Sequence, residues 1–283
     1  MITTPTVLVL GAGASAWAGF PVGKHLRQAI IGNLNDRRGA AYTRLQQLQF
    51  EDARIQEFRD SFKNSGKLSV DAFLEHRPDL LDVGKAAISQ ELIAYEGSSR
   101  LFEGDMDWYA YLYQRMNSPF MEFGSNKVSI VTFNYDRSIE HFLFTSLKHT
   151  YRKGEDKVAE VLSDIPIIHV HGRLGHLPWQ KDGGRSYSQG LTPDEIRIAA
   201  AGIRIIHEQL PRDKEFEKAR AQIASADRIV FLGFGYDETN LNRLIPRVET
   251  IDRKCMMFGS VYRFTTAEHT DEICTFLRKP RML

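Results

Sequence analysis

Four short stretches hold the residues best suited to chemistry: Gly11-Ala-Gly-Ala-Ser15, Thr132-Phe-Asn-Tyr-Asp136, His171-Gly172 and Gly233-Phe-Gly235. An amide two residues from a carboxylate, as in Asn134 and Asp136, can hold a polar ligand or a water molecule. A neutral imidazole such as His171 can accept a proton near pH 7. Glycines in a turn let backbone amides approach a phosphate closely, and a following helix N-terminus favours the anion. Each stretch directly follows an apolar run, so each is expected at the C-terminal end of a buried strand, where open α/β sheets bind ligands.

The elements that would position them are legible as apolar patterns. Val7–Leu10, Val128–Phe133, Ile165–Val170 and Ile229–Leu232 read as buried parallel strands, and Cys255–Phe258 as a fifth. Helical spacing follows the first at Val22, Leu26, Ile30 and Leu34, and the second at Ile139, Phe142, Leu143 and Leu147. It returns over Thr192–Leu210, at Phe216, Ala219 and Ile223, and at Leu241, Leu244 and Ile245. Strands alternating with helices predict an α/β fold, a Rossmann-like doubly wound parallel sheet. From Asn35 to Asn126 only helical spacing recurs, carried by Leu45, Leu48, Ile55, Phe58 and Phe62, then by Leu74, Leu81, Ile88 and Leu92, then by Trp108, Tyr111 and Leu112. Residues 35–126 are therefore expected as a helical insertion after the first βα unit, within a single domain spanning 1–283. Lys148–Asp164 reads as a polar connector and Leu174–Leu191 as a long surface loop.

Composition narrows the classes. The 37 basic and 36 acidic residues leave a formal net charge of +1, so bulk electrostatics give no reason to expect direct nucleic-acid or membrane binding. Two cysteines, Cys255 and Cys274, are too few for a disulfide framework or a four-cysteine zinc site. With no signal-peptide pattern at the N-terminus and no apolar run of membrane-spanning length, a cytoplasmic protein is expected.

Plainer readings stand beside the chemical ones. The glycine turn could simply join strand to helix, since the G-x-G-x-x-G fingerprint has Ala16 at its last position and no acidic strand end follows about 20 residues on. Asn134 and Asp136 could cap the helix that begins after them. His169 and His171 share a strand face, yet no third ligand has suitable spacing, so no metal is expected and His169 reads as structural. Trp108 and Trp179 read as packing residues, and His141 has no assigned role.

Taken together and in this order, the four strand ends resemble the sirtuin superfamily. In that family a Gly-Ala-Gly-x-Ser turn cradles the NAD pyrophosphate and a Gly-x-Pro segment follows, matched here by Gly11, Ala12, Gly13 and Ser15 and by Gly19-Phe20-Pro21. Its Thr-x-Asn-x-Asp motif matches Thr132, Asn134 and Asp136, its catalytic His-Gly matches His171-Gly172, and its late glycine turn matches Gly233, Phe234 and Gly235. The zinc-ribbon cysteines of deacylating sirtuins are absent between His171 and Cys255, Phe133 replaces their Gln, and their Arg after Gly-x-Pro is missing. These departures resemble the zinc-less bacterial sirtuin-like NADases of antiphage defence, as do Ser69–Leu74 and Gly235–Leu241. The resemblance implies hydrolysis of NAD to nicotinamide and ADP-ribose, with NAD as substrate, no metal, and Asn134 and His171 catalytic. It further implies NAD depletion during phage infection, restrained by homo-oligomerisation or by a separate partner such as a hexameric ATPase. A zinc-less NAD-dependent deacylase and a catalytically silent module sensing NAD or ADP-ribose are the alternatives.

Overall fold

The computed structural model describes residues 1–103, 107–181, 183–205, 213–246, 251 and 254–260. Cys274 and the stretch 206–210 of the helix expected over Thr192–Leu210 lie outside them.

Strands β1 (Thr6–Leu10), β2 (Val128–Thr132), β3 (Ile167–His169), β4 (Arg228–Leu232) and β5 (Met256–Gly259) form one sheet in the order β3-β2-β1-β4-β5. Every pairing is parallel. The chain winds outward from β1 to β3 and then crosses to β4 on the other side. The switch point therefore falls between β1 and β4, giving the expected Rossmann-like, doubly wound α/β architecture. Alternation along the strands divides the core in two. Leu8, Leu10 and Ile130 face a large cluster that includes the helical insertion, while Val7, Val9, Val131 and Phe231 face a smaller one.

Register decides what the sheet edge presents. Leu10 is level with Thr132 on one side and Leu232 on the other, and Thr132 is level with His169. Gly11, Phe133, Val170 and Gly233 thus leave the sheet in one row, and the four motifs share one edge.

Between β1 and β2 stand α1 (Gly23–Asn33), α2 (Ala40–Gln47), α3 (Asp52–Asn64), α4 (Val70–Leu74), α5 (Leu81–Ile93), α6 (Ser98–Phe102) and α7 (Trp108–Arg115). α5 is buried almost all round, from Val83 to Ile93, with α1, α2, α3 and α4 packed about it. It is the hub of the insertion. β2 is followed by α8 (Ser138–Tyr151) and α9 (Glu155–Ser163), β3 by α10 (Pro193–Gly202) and α11 (Lys214–Ala224), and β4 by α12 (Glu238–Leu244).

Three expectations change. Lys148–Asp164 is not merely a polar connector: α8 runs to Tyr151, and α9 buries Val158, Val161 and Leu162 on one face. The expected Thr192–Leu210 helix ends at Gly202, after a Thr192–Glu195 capping box at its start. Leu174–Leu191 is irregular but not a surface loop, since Leu174, Leu177, Arg185 and Tyr187 are buried.

That segment is held by charge. Glu96, at the end of α5, accepts from Arg137 Nε and Nη2 at 2.9 and 2.6 Å, and from Arg185 Nη2. Arg137 Nη1 also donates to the Arg185 carbonyl at 2.7 Å, and the side chains of Glu96, Arg137 and Arg185 are almost wholly enclosed. Arg137 directly follows Asp136, so this ion cluster fixes the end of the β2 motif from behind. Among the described residues no helix is long and apolar enough to cross a membrane, and no group of three or more His, Cys, Asp or Glu is placed to hold a metal ion.

Candidate functional site

At the switch point the two glycine turns interlock. Gly11 N–H donates to Leu232 O at 3.0 Å and Gly13 N–H to Gly233 O at 2.9 Å. A Cβ on Gly11 would sit 2.6 Å from Gly233 O and Phe234 Cα, and Gly233 adopts φ +56° directly over the backbone of Gly13 and Ala14. Glycine is required here because two backbones touch. The turn after Gly11 winds at once into a 3-10 helix, Ala12–Ala18, closed by Gly19 at φ 91°. Helical structure thus begins ahead of the expected Val22. Buried Phe20, then Pro21, lead into α1.

Beside this turn lies a cleft of about 100 Å³ whose wall includes Ala12, Phe20, Pro21, Phe133, Asn134 and Asp136. Asn134 is 9% exposed and held from every side. Its backbone N–H donates to Thr132 Oγ1 at 3.0 Å, and its Nδ2 donates to Gly11 O at 2.9 Å and to Ser15 Oγ at 3.1 Å. A carbonyl can only accept, so Gly11 O settles which way the amide points. No hydrogen bond among the described residues uses Oδ1, which leaves it as the acceptor available to a ligand.

Asp136 is occupied. Its Oδ2 accepts from Ser15 Oγ at 2.7 Å, and its Oδ1 accepts from Ser138 N at 3.1 Å and from Ser138 Oγ. The bond to Ser138 N satisfies a donor at the start of α8, so the capping reading of Asp136 is realised within the cleft wall. Burial pushes its carboxyl up from the usual range, against the bonds from Ser138 and Ser15.

His169 braces Asn134 from the next strand. Its ring joins Asn134 O through Nδ1 at 2.9 Å and Glu140 Oε1 through Nε2 at 2.7 Å. A carbonyl and a carboxylate both accept, so each ring nitrogen of this buried histidine faces an acceptor. Burial would raise the Glu140 carboxyl, but His169, with Arg173 at 3.5 Å, outweighs it and holds Glu140 at about 2.

His171 packs on Phe133 and is not among the residues lining the cleft. It is 7% exposed and packs against the rings of Phe133 and Phe216, with centroids 5.4 and 5.8 Å away. Phe234 closes on Phe133 at 5.0 Å. Burial lowers the pKa of His171, while Asp71 and a hydrogen bond with Asn240 oppose that shift. Gly172 follows at φ +74°, where a Cβ would run into Gly202 O, which explains the His-Gly pair sterically.

The structure therefore gathers Ala12, Phe20, Pro21, Asn134 and Asp136 around one cleft, with Gly11, Ser15 and Thr132 bonded to its polar wall. Gly13, Gly233 and Phe234 form the interlock behind it, Gly19 shapes the approach, and Gly235 faces open space. Two participants were assigned no sequence role. Asp71, on α4, lines the cleft and accepts from the Tyr135 hydroxyl, and Asn240, on α12, bonds His171. Both fall in the segments Ser69–Leu74 and Gly235–Leu241, so the signal was present without a role attached.

A scan against protein-family models finds no match to this sequence, and a search of curated proteins finds none either.

Proposed function

We propose that the chain hydrolyses NAD at the nicotinamide–ribose bond, releasing nicotinamide and ADP-ribose. The observation that carries this reading is Asn134. Its amide nitrogen is anchored to Gly11 O and Ser15 Oγ, and its oxygen is left for the cleft at the carboxyl ends of β1 and β2. As the C1′–N bond breaks, its electron pair neutralises the pyridinium nitrogen, so the leaving group needs no general acid. Water then bonds to C1′ and gives up a proton. Asn134 Oδ1 orients the ribose hydroxyls or that water, and His171, kept neutral by burial, takes the proton. Asp136 positions Asn134 through Ser15, and the second acceptor position of its Oδ2 would serve the carboxamide.

A cleft of about 100 Å³ is smaller than the roughly 300–1,000 Å³ of most ligand pockets, so entry of the dinucleotide requires its walls to part. The resemblance adds NAD depletion in antiphage defence and restraint by self-assembly or a partner ATPase, which sedimentation of the active protein would examine.

A second reading, a silent module that binds NAD or ADP-ribose, draws support from the packing of His171 on Phe133 rather than in the cleft lining. One assay separates them. ADP-ribose release that falls by about a hundredfold or more in both Asn134→Ala and His171→Ala supports hydrolysis; tight binding with no release supports the silent module.

A further inference from the structure

A second cavity lies on the other side of β3. It measures about 600 Å³, and the charged and imidazole groups on its wall include Arg173, His176, Lys181, Arg204 and Lys218 against a single described acid, Glu215. Glu215 is ion-paired with Lys218 at 2.9 Å, and Arg173 reaches Glu140 at 3.5 Å. For a chain of net charge +1 this is a local excess of positive charge inside a concavity. Burial lowers the pKa of His176, and Arg173 and Lys181 lower it further, so the field of these cations reaches into the wall.

Backbone geometry suits a close-fitting anion. Gly172, Gly175, Gly183, Gly184 and Gly202 line the same cavity, so parts of its wall carry no side chain. One of its lining residues is tied to the His171 backbone: Arg204 N–H donates to His171 O at 2.9 Å. The lining residues are entirely different from those of the Asn134 cleft, so this is a separate site.

We propose that this cavity binds a phosphorylated small molecule, its phosphate held by Arg173, Arg204 and Lys218. Several convergent cations, two of them forked guanidinium groups, suit the multiple oxygens of a phosphate. The volume of this half-open cavity falls within the usual small-ligand range, whereas a nucleic-acid site would be an extended basic face. The site does not depend on the NAD-cleavage reading.

The test is calorimetric titration of the full chain carrying Asn134→Ala, which alters the other cleft, with inorganic pyrophosphate, AMP, adenosine and a short single-stranded oligonucleotide. Saturable binding of pyrophosphate or AMP is expected, with adenosine weaker by about tenfold or more. Adding Arg204→Gln and Lys218→Gln is expected to weaken the anions by at least about tenfold. Pyrophosphate binding without AMP supports an inorganic phosphate ligand, and tighter AMP binding a nucleotide. Unchanged affinity in the charge-neutral variant, adenosine binding as tightly as AMP, or binding of the oligonucleotide alone would overturn the proposal. If the combined variant does not fold, Arg204→Gln alone carries the same expectation and the same refutation. No arm reads NAD cleavage, so failure here leaves that proposal untouched.

Discussion

The surroundings of Asn134 and of His171 are built on opposite plans. On one side Asn134 and Asp136 sit in a dense polar lattice of Thr132, Ser15, Ser138 and His169, backed by the Glu96–Arg137 ion pair. On the other, His171 sits between aromatic rings, its proton affinity set chiefly by burial. The polar side fixes direction, because the amide nitrogen of Asn134 is tied to Gly11 O and Ser15 Oγ and only its oxygen is left over. The apolar side fixes a protonation state, because a charged imidazole is costly there. In the proposed hydrolysis, an amide that points and a base that stays neutral would need these two different surroundings.

The contrast can be broken at its ends. Glu96→Ala leaves Arg137 and Arg185 buried without their counter-ion, and is expected to lower stability by about 3–5 kcal/mol in denaturant unfolding. It is the largest effect expected here. Phe133→Ala opens the apolar side. A loss of about 2 kcal/mol is expected for this half-buried ring, below the usual cost of a fully buried one. The more telling readout is pH. The His171 pKa lies below its ordinary 6.5, so activity requiring the neutral ring persists below pH 6.5, and in Phe133→Ala the acid limb should move up toward that value.

Ser15→Ala tests the polar side more gently. It removes the hydroxyl shared by Asn134 Nδ2 and Asp136 Oδ2, and should cost about 1–2 kcal/mol while lowering kcat more than it raises KM. An unchanged kcat would mean that Asn134 needs no such bracing. The smallest effect concerns His141, stacked on Tyr187 at 4.2 Å and depressed to about 4 by burial and by Arg137. The folded protein prefers this ring neutral. Its contribution is therefore complete above the unfolded value of 6.5 and declines as pH falls from there to about 4. His141→Phe should flatten that part of the stability–pH curve.

How far these features could be read beforehand follows from the range of the interactions. β1, β2 and β4 were legible because a largely buried parallel strand is a short apolar run closed by Gly or Asn, as at Gly11, Asn134 and Gly233. That Asn134 and Asp136 follow a strand end was equally visible. That Ser15 joins them was not, since its bond to Asp136 spans 121 positions. α9 was overlooked because Val158, Val161 and Leu162 are set among charges, and the irregular Leu174–Leu191 segment has no periodicity to betray its buried anchors. The ion cluster was invisible for the same reason as Ser15. Glu96, Arg137 and Arg185 each look like ordinary surface charges until the fold brings them together across 41 and 89 positions.

The central claim is that an anchored amide and a neutral imidazole cooperate across Phe133 to cleave NAD. Its most direct measurement is single-turnover release of ADP-ribose by the wild type, Asn134→Ala and His171→Ala across pH. The account predicts release by the wild type with an acid limb below pH 6.5, a loss of about a hundredfold or more in each variant, and no acid limb in the residual activity of His171→Ala. Undiminished release by either variant, or an acid limb that persists without His171, would contradict it.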